Sequence, residues 1–130
     1  ASLGEQIVEV RVKDETRYLL AEHQDELAAT QPSRATHLLG AFDQFVLGPG
    51  TKDTHMLANK HRSWVSKAAG WIAPVLTQGG RITGVWEIDD GNLVVTPLPG
   101  EQAPPSKVLE DAAARLATVH GLVKVTLRVR

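Results

Sequence analysis

The stretch WIAPVLTQGGRITGVWEIDDGNLVVTPLPG, residues 71 to 100, constrains the fold of this chain more than any other. Apolar and polar residues alternate along it with period two, and the alternation is interrupted at Gly79-Gly80 and at Asp90-Gly91. Both pairs supply the positive φ that tight hairpin turns demand. The stretch therefore predicts three consecutive strands joined as an antiparallel meander. Pro74 cannot donate to a ladder, so it marks an edge or a bulge, and Gly84 predicts a bend or the close approach of another backbone.

The flanks follow the same logic. Val8, Val10 and Val12 alternate with Glu9 and Arg11, and residues 16 to 22 read as the returning strand of a hairpin. Residues 23 to 30 are rich in helix formers and stop ahead of Pro32, predicting a short helix. Residues 41 to 47 form an apolar, strand-like run around Asp43, broken at Gly48-Pro49-Gly50. A basic, surface-lying helix is expected over residues 59 to 70, closed by Gly70. Ser106 is expected to cap a long helix over 107 to 120, with Val108, Ala112, Leu116 and Val119 as its apolar stripe. In the last segment Val123, Val125, Leu127 and Val129 alternate with Lys124, Thr126, Arg128 and Arg130. Pairing of this strand with the first would close the sheet toward a barrel. The expected class is α+β: an antiparallel, partly barrel-like sheet with one long C-terminal helix and short helices. With 130 residues, 42% of them hydrophobic, a single domain over 1 to 130 is expected.

Several function classes fall away. Zero cysteines exclude disulfides and thiolate metal sites and fit a reducing, cytoplasmic setting. The apolar runs are too short to span a bilayer as a helix, so no membrane partner is expected. His23, His37, His55, His61 and His120 never recur at i+3 or i+4, which argues against a metal site. There is no Gly-x-Ser-x-Gly elbow, and GPGTKD lacks the order of a phosphate-cradling P-loop. No cofactor, metal or catalytic residue is assigned.

Charge is what remains. The formal net charge of -1 gives no global pull toward nucleic acid, but Lys52, Lys60, Arg62 and Lys67 face Asp53 alone within residues 52 to 67. These four cations, with Arg81, are candidate phosphate contacts; the alternative is a solvated face without a specific role. Asp43 and Asp53 are carboxylates with two readings each. Asp43 either accepts local amides or pairs with Arg62 or Arg81, or it stands at the lip of a site. A small enzyme using Asp43, Lys52, Asp53 and His55 is a further alternative. Trp86 reads as core, as do Trp64 and Trp71, although the latter two border the basic segment and fit a partner surface as well.

The order HLLGAFDQFVLGPGTKDTH, a basic segment, then GWIAPVLTQGGRITGVWEI resembles the C-terminal region of bacterial winged-helix DNA-binding domain-containing proteins. That family includes crosslink- and alkylation-repair DNA glycosylases. The resemblance implies a DNA-binding accessory domain whose partners are duplex DNA and winged-helix units preceding it in a longer protein. The alternative is a scaffold or protein-interaction module. The glycosylases of the family carry a catalytic Gln-x-Gln pair, and Gln6, Gln24, Gln31, Gln44, Gln78 and Gln102 form no such pair. The resemblance thus transfers no excision chemistry to these residues. A start without methionine, almost directly in a strand, fits a piece of a longer polypeptide.

Overall fold

A computed structural model describes residues 5–121 and 126–130. The chain divides into two compact units, Ala1–Pro32 and Ser33–Arg130. In the first, β1 (Ile7–Val12) and β2 (Glu15–Leu20) pair antiparallel, with Ile7 opposite Leu20 and Val12 opposite Glu15. A 3-10 turn at Ala21–His23 leads into α1 (Gln24–Ala29), and Thr30 returns to extended backbone ahead of Pro32. The hairpin and the short helix are those expected from the sequence. None of the described residues of this unit is buried.

The second unit is built on a five-stranded sheet in the order β3-β4-β5-β6-β7. Its strands are β3 (Thr36–Leu39), β4 (Val75–Gln78), β5 (Arg81–Asp89), β6 (Asn92–Pro97) and β7 (Thr126–Val129). The meander is as expected: Gly79 and Gly80 turn β4 into β5 at φ 58° and 80°, and Asp90 and Gly91 turn β5 into β6 at 47° and 73°. The sheet is antiparallel-rich and curls as a half-barrel.

A bulge decides what each face carries. Leu76 pairs with Gly84 and Thr77 with Ile82, so Thr83 is one residue too many on β5. The extra residue reverses the alternation along the strand. Ile82 and Val85, three apart, consequently point to one face with Val75, whereas Trp86 points to the other with Leu76. Thr83 is anchored on both sides: its hydroxyl accepts from Gln78 Nε2 at 2.8 Å and its carbonyl accepts from Leu98 N at 2.9 Å.

Two apolar layers result. On one face α4 (Ser106–Val119) lays Leu109, Ala112 and Ala113 on Leu38, Leu76, Trp86, Leu93 and Val95. Trp86 stays satisfied there because its Nε1 donates to Leu39 O at 2.9 Å. On the other face Val46, Met56, Leu57 and Val65 cover Val75, Ile82 and Leu98. Among the described residues, no helix is long and apolar enough to cross a membrane.

Five expectations are corrected. The apolar run at 41 to 47 is not a strand, because Asp43 caps a single helical turn, α2 (Gln44–Leu47). The basic helix over 59 to 70 is broken: a 3-10 turn (Asn59–His61) and α3 (Arg62–Val65) end where Ser66 becomes extended and bridges Ile72. Val65 is fully buried, and its carbonyl accepts from Ala73 N at 2.9 Å, so tertiary pairing overrides helix propensity there. Ser106 is the first helical residue rather than the cap, since Pro105 holds the N-cap. Val108 and Val119 are exposed, whereas Ala112 and Leu116 face the sheet as expected and are joined there by Leu109 and Ala113. Finally, β7 pairs parallel with β6, not with β1. Parallel neighbours need a long crossover, and α4, between β6 and β7, supplies it. Val123, Val125 and Lys124 lie outside the described residues.

Gly84 shows why the bulged register admits little change. A Cβ there would lie 3.0 Å from Thr96 O and 3.1 Å from Leu76 Cδ2, and the carbonyl belongs to the ladder itself. Gly84→Ala is expected to destabilise the fold by about 1–3 kcal/mol, the usual cost of overpacking. Urea denaturation of the variant beside wild type measures it; equal midpoints would contradict the close approach.

Candidate nucleic-acid interface

The basic segment is held on the second face by anchors at both ends. Asp53 accepts from His55 N at 2.8 Å through its side chain, and its carbonyl accepts from Leu57 N at 3.0 Å, which turns Met56 and Leu57 inward. Met56 O in turn accepts from Ile82 N at 2.8 Å, tying the loop to the start of β5. Arg62 Nε donates to Thr51 Oγ1 at 3.1 Å and so fastens α3 to the residue preceding Lys52. The sequence thereby brings Lys52 and Arg62 to one place, with Lys60 on the turn that leads into α3. His61 is 3% exposed, and its Nε2 has no hydrogen-bond partner among the described residues.

Lys52, Lys60 and Lys67 are exposed, and Arg62 is half-buried. Among the described residues, no ion pair engages any of the four, whereas Arg81 lies 3.4 Å from the Glu101 carboxylate. Cations without a carboxylate partner keep their charge available to an incoming anion.

Asp43 neither meets Arg62 nor pairs with Arg81. Its Oδ1 accepts from Phe45 N at 2.8 Å and its carbonyl accepts from Val46 N and Leu47 N, each at 3.0 Å. Asp43 also borders a cleft of about 230 Å³ with Arg115 and His120, and Lys52, Asp53 and His55 are not among that cleft's lining residues. Both carboxylates thus serve local backbone, Asp43 at a helical turn and Asp53 at a loop.

A larger cleft, about 690 Å³, opens where the cover of the second face runs out. Val85 stands opposite Thr96 and Glu87 opposite Val94, so these four side chains share that face and line the cleft. Trp64, Lys67 and Trp71 line it from the basic segment, and Arg130 from beyond β7. Trp64 is 36% exposed and Trp71 51%, which corrects their assignment to the core. Lys67 Nζ sits 5.9 Å from the Trp64 ring centroid, and Phe42 meets Trp71 edge-on at 5.0 Å. Arg130 donates to Glu87 at 3.3 Å across 43 positions, a pairing that no local pattern could announce.

A family model described as DNA glycosylase AlkZ-like matches residues 1–119. The chain is 49% identical over 127 residues to an interstrand DNA cross-link repair glycosylase of Streptomyces sahachiroi, covering 98% of this chain and 34% of that protein. The solved structure of the Streptomyces sahachiroi DNA glycosylase AlkZ matches with a TM-score of 0.95 and 48% identity, again over 98% of this chain and 34% of the other. The chain therefore spans about a third of the length of these relatives. It belongs to the AlkZ-like DNA glycosylase family.

The cap at Asp43 separates hydrogen bonding from charge. Asn accepts an amide at an N-cap as well as Asp does, whereas Ala removes the acceptor. Asp43→Asn is expected to melt close to wild type, and Asp43→Ala to lose about 0.5–2 kcal/mol. An Asn variant as unstable as the Ala variant would show that the carboxylate's charge matters, and with it an ion pair.

Proposed function

We propose that this chain is the DNA-contacting accessory portion of a longer, winged-helix DNA-repair glycosylase. Lys52, Lys60, Arg62, Lys67 and Arg81 hold duplex phosphates, and they position the DNA without reading its sequence. The observation that carries this reading is the set of four cations on a braced loop segment, none held by a carboxylate among the described residues. Membership in a DNA glycosylase family supplies the partner. Arg81 contributes less than the others, because phosphate must compete with Glu101 for it.

One observation supports a larger parent protein: the relatives are about three times as long as this chain. Base excision in the parent is assigned to residues outside this chain, and the expected setting is the bacterial cytoplasm, where the DNA is.

Phosphate contacts show in the salt dependence of binding. Each lost contact lowers the slope of log affinity against log salt by about one unit, so Lys60→Ala combined with Arg62→Ala should flatten it by about two on any duplex sequence. Titrating the intact protein and the double variant with two unrelated duplexes over a range of salt measures this. An unchanged slope would favour an interaction module whose cations are merely solvated.

A further inference from the structure

We propose that the cleft between Trp64 and Trp71 takes one unpaired nucleobase of the bound DNA, with the adjoining phosphate at Lys67. The inference rests on the reading that this chain binds DNA. It shares only Lys67 with the proposed phosphate contacts, because Lys52, Lys60, Arg62 and Arg81 do not line the cleft.

The chemistry of the lining selects the occupant. Val85 and Val94 give an apolar floor with Thr96 beside them, the Glu87 carboxylate in the lining is met by Arg130 at 3.3 Å, and two half-exposed indoles offer ring faces or edges to a planar guest. Nucleobases stack on such side chains whatever their sequence, since every base has a π-face. A cationic guest is disfavoured, because Lys67 already lies over the Trp64 ring and would repel it. An anion attached to a flat ring meets both requirements at once, and a nucleotide is that combination. The volume, about 690 Å³, lies within the range of sites that enclose small organic ligands. A base still paired in a duplex presents only its edge, so the guest must be out of the stack.

The cleft is also held open by its backbone. Lys67 N donates to Trp71 O at 2.8 Å, Ala73 N to Val65 O at 2.9 Å, and Ser66 bridges Ile72, which closes residues 65 to 73 into a tight loop. Inside that loop Ala69 has φ 56° and Gly70 φ 75°, and Phe42, which buttresses Trp71, has φ 58°. For residues with a side chain this region is costly, and a bulky residue such as Phe seldom enters it. Such backbone persists only where surrounding contacts over-determine it, and here the loop's hydrogen bonds and the Phe42 ring hold Trp71 at the cleft.

The test compares three duplexes of identical flanking sequence bound to the intact protein: fully paired, with a single bulged adenine, and with an abasic site in the same bulge. The abasic duplex retains the flexible, kinked backbone but lacks the ring. The bulged adenine should bind roughly 5- to 150-fold more tightly than the abasic bulge, the worth of one stacked base. Trp71→Ala should bring that ratio close to one, and Trp71→Phe should preserve part of it. Equal affinity for the two bulges in the wild-type protein overturns the proposal, and that comparison needs no variant to fold. A preference that survives both Trp71→Ala and Trp64→Ala overturns it as well, as would be seen if another segment or a protein partner filled the cleft. Failure of the phosphate reading is distinguishable, since it appears as an unchanged salt slope for the Lys60/Arg62 double variant on the fully paired duplex.

Discussion

One residue of excess length on β5 organises the larger unit. With Thr83 inserted against β4, the strand presents Ile82 and Val85 to one side and Trp86 to the other, which a regular alternation could not do. Gly84 must follow it, because the bulged strand is drawn within 3.0 Å, for any added Cβ, of Thr96 O. The sheet thus acquires two apolar faces of different kinds. One is sealed by a regular helix; the other is covered by the irregular chain between Val46 and Ile72. Irregular cover leaves part of a sheet bare, and the aromatic cleft lies at that margin.

The electrostatics depend on the same arrangement. A chain of net charge -1 can attract DNA only where its cations are concentrated and its carboxylates are elsewhere or occupied. Asp53, the lone acid of the basic segment, is turned onto His55 N, while Glu87 and Asp89 are met by Arg130 at 3.3 and 3.8 Å. These three carboxylates are thereby engaged with the protein itself. Exposed pairs of this kind add little to stability, so their consequence is for the local field.

The meander was legible because period two, glycine turns and Gly84 all point to one register. The long helix was legible to within a residue at each end for the same reason, though its buried stripe was displaced by one position at Leu109. What escaped was decided by distant partners. Nothing local to Thr36–Leu39 marks a strand; it pairs with β4, and Arg115 of α4 donates to Thr36 O at 3.0 Å. The basic helix failed at Ser66 because an extended bridge to Ile72 was available, and the last strand chose β6 because a helix had already carried the chain across. Lys52, Lys60, Arg62 and Lys67 were identifiable as a group from charge alone, whereas the link from Arg62 to Thr51 and the Glu87–Arg130 pair in the cleft lining depend on tertiary structure.

Trp64 and Trp71 show how far local character can mislead. Large aromatics contribute most when buried, so the default for an indole bordering a sheet is the core. Here the segment that carries them is anchored by Val65 and Ile72, their immediate neighbours, and those two residues take the inward positions. Val65 and Ile72 point inward at the two ends of this stretch, and the preceding residue in each case, Trp64 and Trp71, is left exposed. Exposure of both indoles accompanies the full burial of Val65. A surface made in this way is braced by backbone hydrogen bonds yet exposed, which is what the proposed stacking of a base requires.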